Sequence, residues 1–169
     1  NLVDTIQDSI GNPYHYKKLG GNVWLMENLG STCATCSPAG SAIAQANAAT
    51  ACPTGWRLPT AAEWQNLVTW AAAGKSDTVG ANHLKSITGW SGRTTLGQTY
   101  EYNGDNSTGF NLVPSVYIDQ KYSGYYIGNY WTSTTATPVA NFYQSFSLGA
   151  IPSDFSGPKM TGPVRCVAK

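Results

Sequence analysis

The four cysteines constrain the fold of this chain more than any other feature of its sequence. They are Cys33, Cys36, Cys52 and Cys166. Four cysteines allow three disulfide connectivities, and the sequence alone leaves all three open. Cys33 and Cys36 are close enough to pair locally, which favours a second bridge between Cys52 and Cys166. In the chain-entropy treatment a bridge closing a loop of about 110 residues stabilises a fold by about 4 to 5 kcal/mol.

The composition indicates an oxidising compartment for these cysteines. Charged residues make up 11% of the 169 residues, against a usual share of about 25%. An even number of cysteines in a chain with few charges and many aromatic residues is typical of secreted proteins. We therefore predict an extracellular, cell-surface location.

Charge and hydropathy patterns exclude two classes of partner. The formal net charge is +1 and the Lys and Arg residues are scattered, so no basic patch is available for nucleic acid. No apolar run approaches the length that crosses a bilayer, which predicts no direct membrane insertion. The length suits a single domain over residues 1–169.

Metal sites are the main alternative use of the cysteines and of one polar loop. Zinc sites of this type need a second C-x-x-C or a paired His, whereas His15 and His83 are isolated. The segment YNGDNSTGF clusters Asn103, Asp105 and Asn106, whose oxygens suit calcium, but tight turns favour the same residues. We predict no metal and no cofactor.

The stretch CPTGWRLPTAAEW, residues 52–64, predicts the start of a helix. Thr60 followed three positions later by Glu63 is a capping box, in which both side chains satisfy backbone groups of the first turn. Beyond it Gly74 suits a left-handed residue at the helix end, and apolar residues recur on one face, at Trp64, Leu67, Val68 and Ala71. We predict a core helix over residues 61–73 and interpret Glu63 as a capping group rather than an acid catalyst.

The other elements predict an α+β fold. Gly20-Gly21 separates two short strands in YHYKKLGGNVWLM, which indicates a β-hairpin, and the Ala-rich segment 41–51 favours a second helix. The C-terminal runs GYYIGNYWTST, ANFYQSFSL and PVRCVAK alternate as strands of one antiparallel sheet. Residues 88–114 are interpreted as an ordered loop.

Several segments resemble one known family. In order along the chain they are GNPYHYKKLGGNVWLMENL, CPTGWRLPTAAEW, LKSITGW, GFNLVPS, YWTST and VRCVAK. They look like the Fibrobacter succinogenes major paralogous domain, which is similar to the formylglycine-generating-enzyme branch of the C-type lectin fold. The resemblance implies a C-type lectin-like fold with short antiparallel sheets, two main helices and long ordered loops. It also implies secreted or surface proteins, including tip adhesins, of Bacteroidota-type bacteria.

Two departures from the family pattern bear on function. The segment AGSAIAQANAATA replaces an aromatic-rich one before C-P-x-G-W, and PSVYIDQKYSG replaces a G-G-x-R segment, so the loops on that side need not follow other members. Formylglycine-generating enzymes carry reactive cysteines beside an arginine-rich segment in the C-terminal half, where this chain has only Cys166. We predict no enzymatic activity, and we expect Arg57 to bind loop carbonyls or a carboxylate.

The C-terminal third carries the candidate binding residues. Tyr, Asn, Ser and Gly alternate there, and antibody paratopes use the same residues because Tyr gives a large contact area at low entropy cost. We interpret Trp131 and Phe146 as core strand residues. The candidate ligand-binding residues are Tyr122, Tyr125, Tyr126, Asn129, Tyr130, Asn141, Tyr143, Asp154 and Phe155.

The function predicted from these features is ligand binding. The domain would be an adhesin or display module of a bacterial surface protein, such as a pilus tip, that binds protein or glycan on another cell. The polar stretch 128–155 also suits diversification by a retroelement. The alternative is a structural subunit or cap of a surface fibre, in contact with its other domains or subunits.

Overall fold

The computed structural model describes residues 4–33, 36–95, 98–118, 125–149 and 161–169. Within these ranges the helices are α1 (Gln45–Ala48), α2 (Ala61–Ala72) and α3 (Asp77–Leu84). The strands are β1 (Asp4–Gln7), β2 (Pro13–Leu19), β3 (Asn22–Leu25), β4 (Ile43–Ala44), β5 (Trp56–Arg57), β6 (Ser91–Thr95), β7 (Gln98–Glu101), β8 (Val116–Ile118), β9 (Tyr125–Trp131), β10 (Val139–Phe142), β11 (Phe146–Gly149), β12 (Thr161–Gly162) and β13 (Val167–Ala168). Helices and antiparallel sheets confirm the α+β prediction.

The first sheet joins the two ends of the described chain. Its strand order is β1-β2-β3-β13-β5, and each pair is antiparallel. The predicted hairpin is confirmed between β2 and β3, where Gly20 and Gly21 have φ angles of 57° and 92°. These left-handed values explain the glycine pair. The C-terminal strand β13 therefore pairs with an N-terminal strand.

The second sheet has the order β11-β10-β9-β8. The prediction that all three C-terminal runs share one sheet is therefore wrong for the last one, since β13 pairs with β3 and β5 instead. ANFYQSFSL forms two strands, β10 and β11, which reverse direction at residues 143–145. Two further strand pairs, β12 with β4 and β6 with β7, and one parallel bridge between Lys85 and Leu112 complete the described pairing.

The helix α2 begins with the predicted capping box. The Thr60 hydroxyl accepts from the Glu63 N–H at 3.1 Å, and the Glu63 carboxylate accepts from the Thr60 N–H at 2.8 Å. The four apolar residues of the predicted face are all buried. The left-handed position after the helix is taken first by Ala73, with φ 50°, and then by Gly74, with φ 84°.

Two local predictions differ from the structure. The helix expected over residues 41–51 is limited to α1, whose N-cap residue Ala44 offers no side-chain hydrogen bond. Since the segment has few large apolar residues, little packing energy is available to extend it. Residues 88–114, expected to be loop, contain the β6–β7 hairpin. The helix α3 was not predicted, because its apolar face is weak and includes Gly80, which touches the α2 backbone.

The core consists of two clusters. One packs α2 between the sheets, with aromatic contacts of 4.9 Å between the ring centroids of Trp24 and Trp64 and 5.5 Å between those of Trp64 and Tyr130. The other surrounds Trp131 and Cys166. Trp131 and Phe146 are buried, which confirms their assignment to the core. No helix in the described ranges has both the length and the apolar character needed to span a bilayer.

The disulfide pairing favoured from the sequence is confirmed. Cys33 pairs with Cys36, and Cys52 pairs with Cys166 across 114 residues, with their Cα atoms 6.0 Å apart. The longer bridge joins the segment before β5 to the segment before β13. It therefore links the segments that lead into two neighbouring strands of the first sheet, and it lies within the second core cluster.

Candidate functional site

Two of the predicted binding residues lie in the core. Tyr130 is fully buried and Asn129 is 2% exposed, so the prediction that they lie on an exposed binding surface is wrong. Strand β9 is covered on both faces here, because Tyr130 points to the α2 cluster and its neighbour Trp131 to the other cluster. The composition of β9 resembles a paratope, but burial on both faces assigns these positions to packing.

Tyr130 is anchored by its phenol as well as its ring. The hydroxyl donates to the Val113 carbonyl at 2.8 Å and accepts from the Val113 N–H at 3.1 Å. Burial raises the pKa of this phenol. The strand β9 is thereby fixed to the GFNLVPS segment, which carries Val113.

Arg165, in the closing V-R-C motif, is a buried structural group. Its guanidinium donates to the carbonyls of Met26 at 2.5 Å and Phe110 at 3.0 Å and to Asn28 Oδ1 at 2.9 Å. It also lies 4.5 Å from the centroid of the Phe110 ring. Burial lowers the pKa of this guanidinium. The three family-like segments that meet here form an internal junction.

The stretch CPTGWRLPT also has a structural role, because its arginine is paired within the protein. Arg57 donates two hydrogen bonds to the Glu63 carboxylate, at 2.8 and 2.6 Å, and a third to the Leu58 carbonyl at 3.1 Å. The bidentate partner Arg57 lowers the pKa of the Glu63 carboxyl. This confirms the interpretation of Glu63 as a capping group and the expected partners of Arg57.

Some of the remaining candidate binding residues lie within the described residues, and the others lie outside them. Tyr126 is 39% exposed, and Asn141 and Tyr143 are half-buried. Asn141 Nδ2 donates to Asn129 Oδ1 at 2.6 Å across the β9–β10 pair. Outside the described residues lie Tyr122, Asp154 and Phe155, as well as the side chain of Tyr125.

A group of four tyrosines forms the candidate site, and we call it the tyrosine surface. The Tyr102 and Tyr143 rings meet edge to face, with 4.9 Å between centroids. Tyr100 is 46% exposed on the β6–β7 hairpin. The members of the tyrosine surface are Tyr100, Tyr102, Tyr126 and Tyr143.

Tyr126 lies on the side of β9 that faces this hairpin. Gly128 is two residues further along the strand and so points to the same side. A Cβ on Gly128 would lie 2.8 Å from the ring of Trp90, which immediately precedes β6. The N–H of Tyr102 in turn donates to the Trp90 carbonyl at 2.9 Å. Only glycine fits at position 128, and its absent side chain lets the hairpin pack against β9.

A buried lysine lies behind the tyrosine surface. The Lys85 ammonium donates to the carbonyl of Tyr102 at 2.6 Å and to that of Tyr143 at 2.7 Å. It also lies 5.3 Å from the centroid of the Trp90 ring. The residue is fully buried, and burial lowers the pKa of its ammonium to about 8.

Sequence reasoning missed Tyr100, Tyr102 and Lys85. The two tyrosines belong to the segment assigned to loop, where TYEY has the alternation of a strand that could have revealed them. No pattern marks Lys85, because a lysine is almost never fully buried. Its partners come from segments 17 and 58 residues away.

The polar loop considered for calcium uses its oxygens internally. Asn103 Oδ1 accepts from the Trp90 N–H at 3.0 Å, and Asp105 Oδ1 accepts from the Ser107 N–H at 2.9 Å. Asn106 Oδ1 accepts from a backbone N–H at 2.8 Å. In the part of the chain that is described, no three His, Cys, Asp or Glu side chains are grouped as metal ligands.

An open groove of about 590 Å³ lies elsewhere, between the β1–β2 turn and the segment around Cys52. Its one carboxylate, Asp8, accepts from the N–H groups of Ile10 and Asn12 at 3.0 and 2.9 Å and from the Asn12 amide at 2.9 Å. Those bonds define the turn. Among the residues that the structure describes, the groove therefore presents no carboxylate oriented toward a ligand.

All four cysteine sulfurs are engaged in disulfides. A thiol-based oxidation would first require reduction of one bridge, since the reactive species is a thiolate.

The comparisons with known proteins give one match. A model of the Fibrobacter succinogenes major domain family matches residues 39–168. The match begins after β1, β2 and β3, although these strands form one sheet with β13 and β5 inside the matched range. No curated protein and no solved structure matches the chain.

Proposed function

The chain belongs to the Fibrobacter succinogenes major domain family, and we propose that it is an extracellular ligand-binding module of a bacterial surface protein. The module would act in adhesion or display, with a protein or a glycan on another cell as its ligand. The observation that carries the proposal is the tyrosine surface, which is held on a framework of separate, buried groups.

The framework supports the proposal through its rigidity. Two disulfides, the Arg165 junction and the bidentate Arg57–Glu63 pair fix the segments around the core. A surface that is already ordered loses little entropy when it binds, so more of its contact energy becomes affinity. The disulfides also suit a secreted protein.

The tyrosine surface supports the proposal through its chemistry. A phenol combines an apolar ring with a hydroxyl, and tyrosine has few rotatable bonds to immobilise. Exposed aromatic rings can stack on the apolar faces of sugars or pack against apolar protein groups. Tyrosine is also enriched among the residues that dominate binding energy in protein interfaces.

We also propose the C-type lectin-like form of the α+β fold for this domain. The terminal strands share one sheet, α2 packs between this sheet and the second one, and the tyrosine surface lies where the β6–β7 hairpin packs against the second sheet. An experimental structure that superposes on C-type lectin-like domains would support this assignment, and one with a different strand order would refute it.

Diversification by a retroelement is a narrower proposal about the stretch 128–155. Asn129 and Tyr130 are buried, so the described positions that tolerate change are the exposed ones, such as Gln144 and Ser145. A near-identical template repeat beside a reverse transcriptase gene is the expected genomic signature. If neither accompanies the gene, this idea is excluded.

The alternative proposal is a structural subunit or cap of a surface fibre. It is favoured by β1, an edge strand of the first sheet with exposed Asp4, Thr5 and Gln7. An edge strand can accept a strand from another subunit. In that case the fibre contact would run through β1 rather than the tyrosine surface.

Glycan arrays and host-protein binding assays distinguish the two proposals. The test variant replaces the four residues of the tyrosine surface by Ala, and the control is Trp70→Ala, which removes an exposed aromatic residue of α2. The ligand-binding proposal predicts loss of binding in the test variant alone. If the native domain binds nothing on either platform, the fibre proposal replaces it.

A further inference from the structure

The ammonium of Lys85 connects the two tyrosines whose rings touch. Its hydrogen bonds of 2.6 and 2.7 Å end on the carbonyls of Tyr102 and Tyr143. The rings of the same two residues meet at 4.9 Å between centroids. One buried group thus sets the separation of two backbone segments that lie far apart in the sequence.

No carboxylate among the described residues pairs with this ammonium. Its ligands are the two carbonyls and the Trp90 ring, 5.3 Å away at the centroid. Hydrogen bonds from an ionised donor are roughly twice as strong as those from a neutral one, and the attraction to the ring face also requires the charge. The geometry therefore depends on the proton that the amine carries.

We propose that protonated Lys85 is the positioning residue of the tyrosine surface, and that loss of its proton loosens the contact between Tyr102 and Tyr143. The proposal rests on the proposed function, because it assigns a form of regulation to the same surface. It makes ligand binding weaker in mildly alkaline solution than at neutral pH.

The pH range follows from the burial of the amine. Burial lowers the pKa of Lys85 to about 8 from an ordinary value of 10.5. Below pH 8 the folded domain carries the ammonium, and above it the neutral amine. Between pH 8 and 10.5 the unfolded chain binds more protons at this site, so the global stability contributed by Lys85 rises with pH. A rise in pH therefore loosens the contact between Tyr102 and Tyr143 locally, while it increases the global stability of the domain.

Other titratable groups lie on the segments packed around Lys85. They are His83 on α3, Glu101 and Asp105 on either side of Tyr102, and the phenols of Tyr102 and Tyr143. The His83 Nδ1–H donates to the Ala71 carbonyl at 2.8 Å, and His83 Nε2 lies 3.5 Å from Asp105 Oδ2. None of these side chains has a described hydrogen bond to the Lys85 ammonium. The Lys85 Cε resonance reports the protonation of this amine alone, so it distinguishes the titration of Lys85 from that of its neighbours.

Carbon NMR of the native domain tests the proposal without a ligand. The Lys85 Cε resonance reports its own protonation, and the carbonyl resonances of Tyr102 and Tyr143 report the two hydrogen bonds. We expect all three to shift together with a midpoint near pH 8. A Lys85 midpoint near its ordinary value of 10.5, or carbonyl resonances that do not follow it, would overturn the proposal.

Two variants add a second readout. Lys85→Met keeps the stem and removes the ammonium, and Lys75→Met makes the same change at an exposed site. We expect the alkaline shift of the two carbonyls to vanish in Lys85→Met and to persist in Lys75→Met. If Lys85→Met does not fold, the NMR titration of the native domain still tests the proposal.

Binding assays separate this proposal from the proposed function. The probe is the array glycan that the native domain binds most strongly, measured at pH 7 and 9. Weaker binding at pH 9 supports the proposal. Equal binding at both pH values, with loss of binding in the tyrosine variants, would overturn the Lys85 proposal and leave the function standing. If the carbonyls titrate with Lys85 but neither the glycan array nor the host-protein assay shows a ligand, the positioning role stands and the proposed function fails.

Discussion

Replacing Tyr130 by Phe tests whether this tyrosine belongs to the framework rather than the binding surface. The change keeps the buried ring and removes a hydroxyl that bonds to the Val113 carbonyl at 2.8 Å and the Val113 N–H at 3.1 Å. An unsatisfied buried polar group costs about 1 to 3 kcal/mol. Since Val113 is only half-buried and water can reach part of it, we expect the free energy of unfolding to fall by about 2 kcal/mol.

The assay is urea unfolding followed by tryptophan fluorescence, since Trp64 packs against Tyr130. The matched control is Tyr100→Phe, which removes a hydroxyl from an exposed ring and should change the free energy of unfolding by less than about 0.5 kcal/mol. Tyr130→Ala should cost about 4 kcal/mol, because it also leaves a cavity. If Tyr130→Phe and Tyr100→Phe were equally stable, the assignment of Tyr130 to a buried, hydrogen-bonded framework would be refuted.

Three further predictions concern the framework. Thr60→Ala should lower the free energy of unfolding by about 1 kcal/mol and leave ligand binding unchanged, and unaltered urea midpoints would contradict the capping role. Replacing Cys52 and Cys166 together by Ala should cost about 5 kcal/mol, against about 2 for loss of the local C-x-x-C bridge, and calorimetry that ranked the two bridges equally would contradict the loop-closure argument. The pKa of Glu63 is lowered from its ordinary value of 4.5. The ionised carboxylate therefore contributes to the free energy of unfolding above pH 4.5, and this contribution is lost as the pH falls further. Glu63→Gln should therefore flatten the acid limb of the stability profile, and an unchanged limb would contradict the role of the Arg57 pair.

The elements that depend on local chemistry could be predicted from the sequence. A capping box and a glycine pair act through neighbouring backbone groups, so α2 and the β2–β3 hairpin were located correctly. The cysteine pairing favoured from the sequence was also confirmed, because a three-residue separation favours local pairing of the first two cysteines. The family was recognised from segments that lie mostly in the range that the family model matches, residues 39–168, although the first segment, residues 11–29, precedes that range.

Features that depend on distant contacts could not be predicted. Tyr126 and Tyr130 occupy the same side of one strand and look alike in sequence, yet one is exposed and the other is packed against α2. The sheet assignment of β13 depends on pairing with β3, more than 140 residues earlier, and no local pattern indicates it. Lys85 finds its carbonyl partners only in the folded chain.

The most direct test of the central proposal, that binding uses the tyrosine surface and not the framework, is one comparison of dissociation constants. The ligand is the strongest one found in the glycan or host-protein screen, and the proteins are the native domain, the variant with Ala at Tyr100, Tyr102, Tyr126 and Tyr143, and Trp70→Ala. Circular dichroism first confirms that all three are folded. We predict affinity weakened by about 100-fold or more in the tyrosine variant, because interface anchors contribute about 2 kcal/mol or more each, and unchanged affinity in Trp70→Ala. Equal affinity in all three proteins would contradict the proposal.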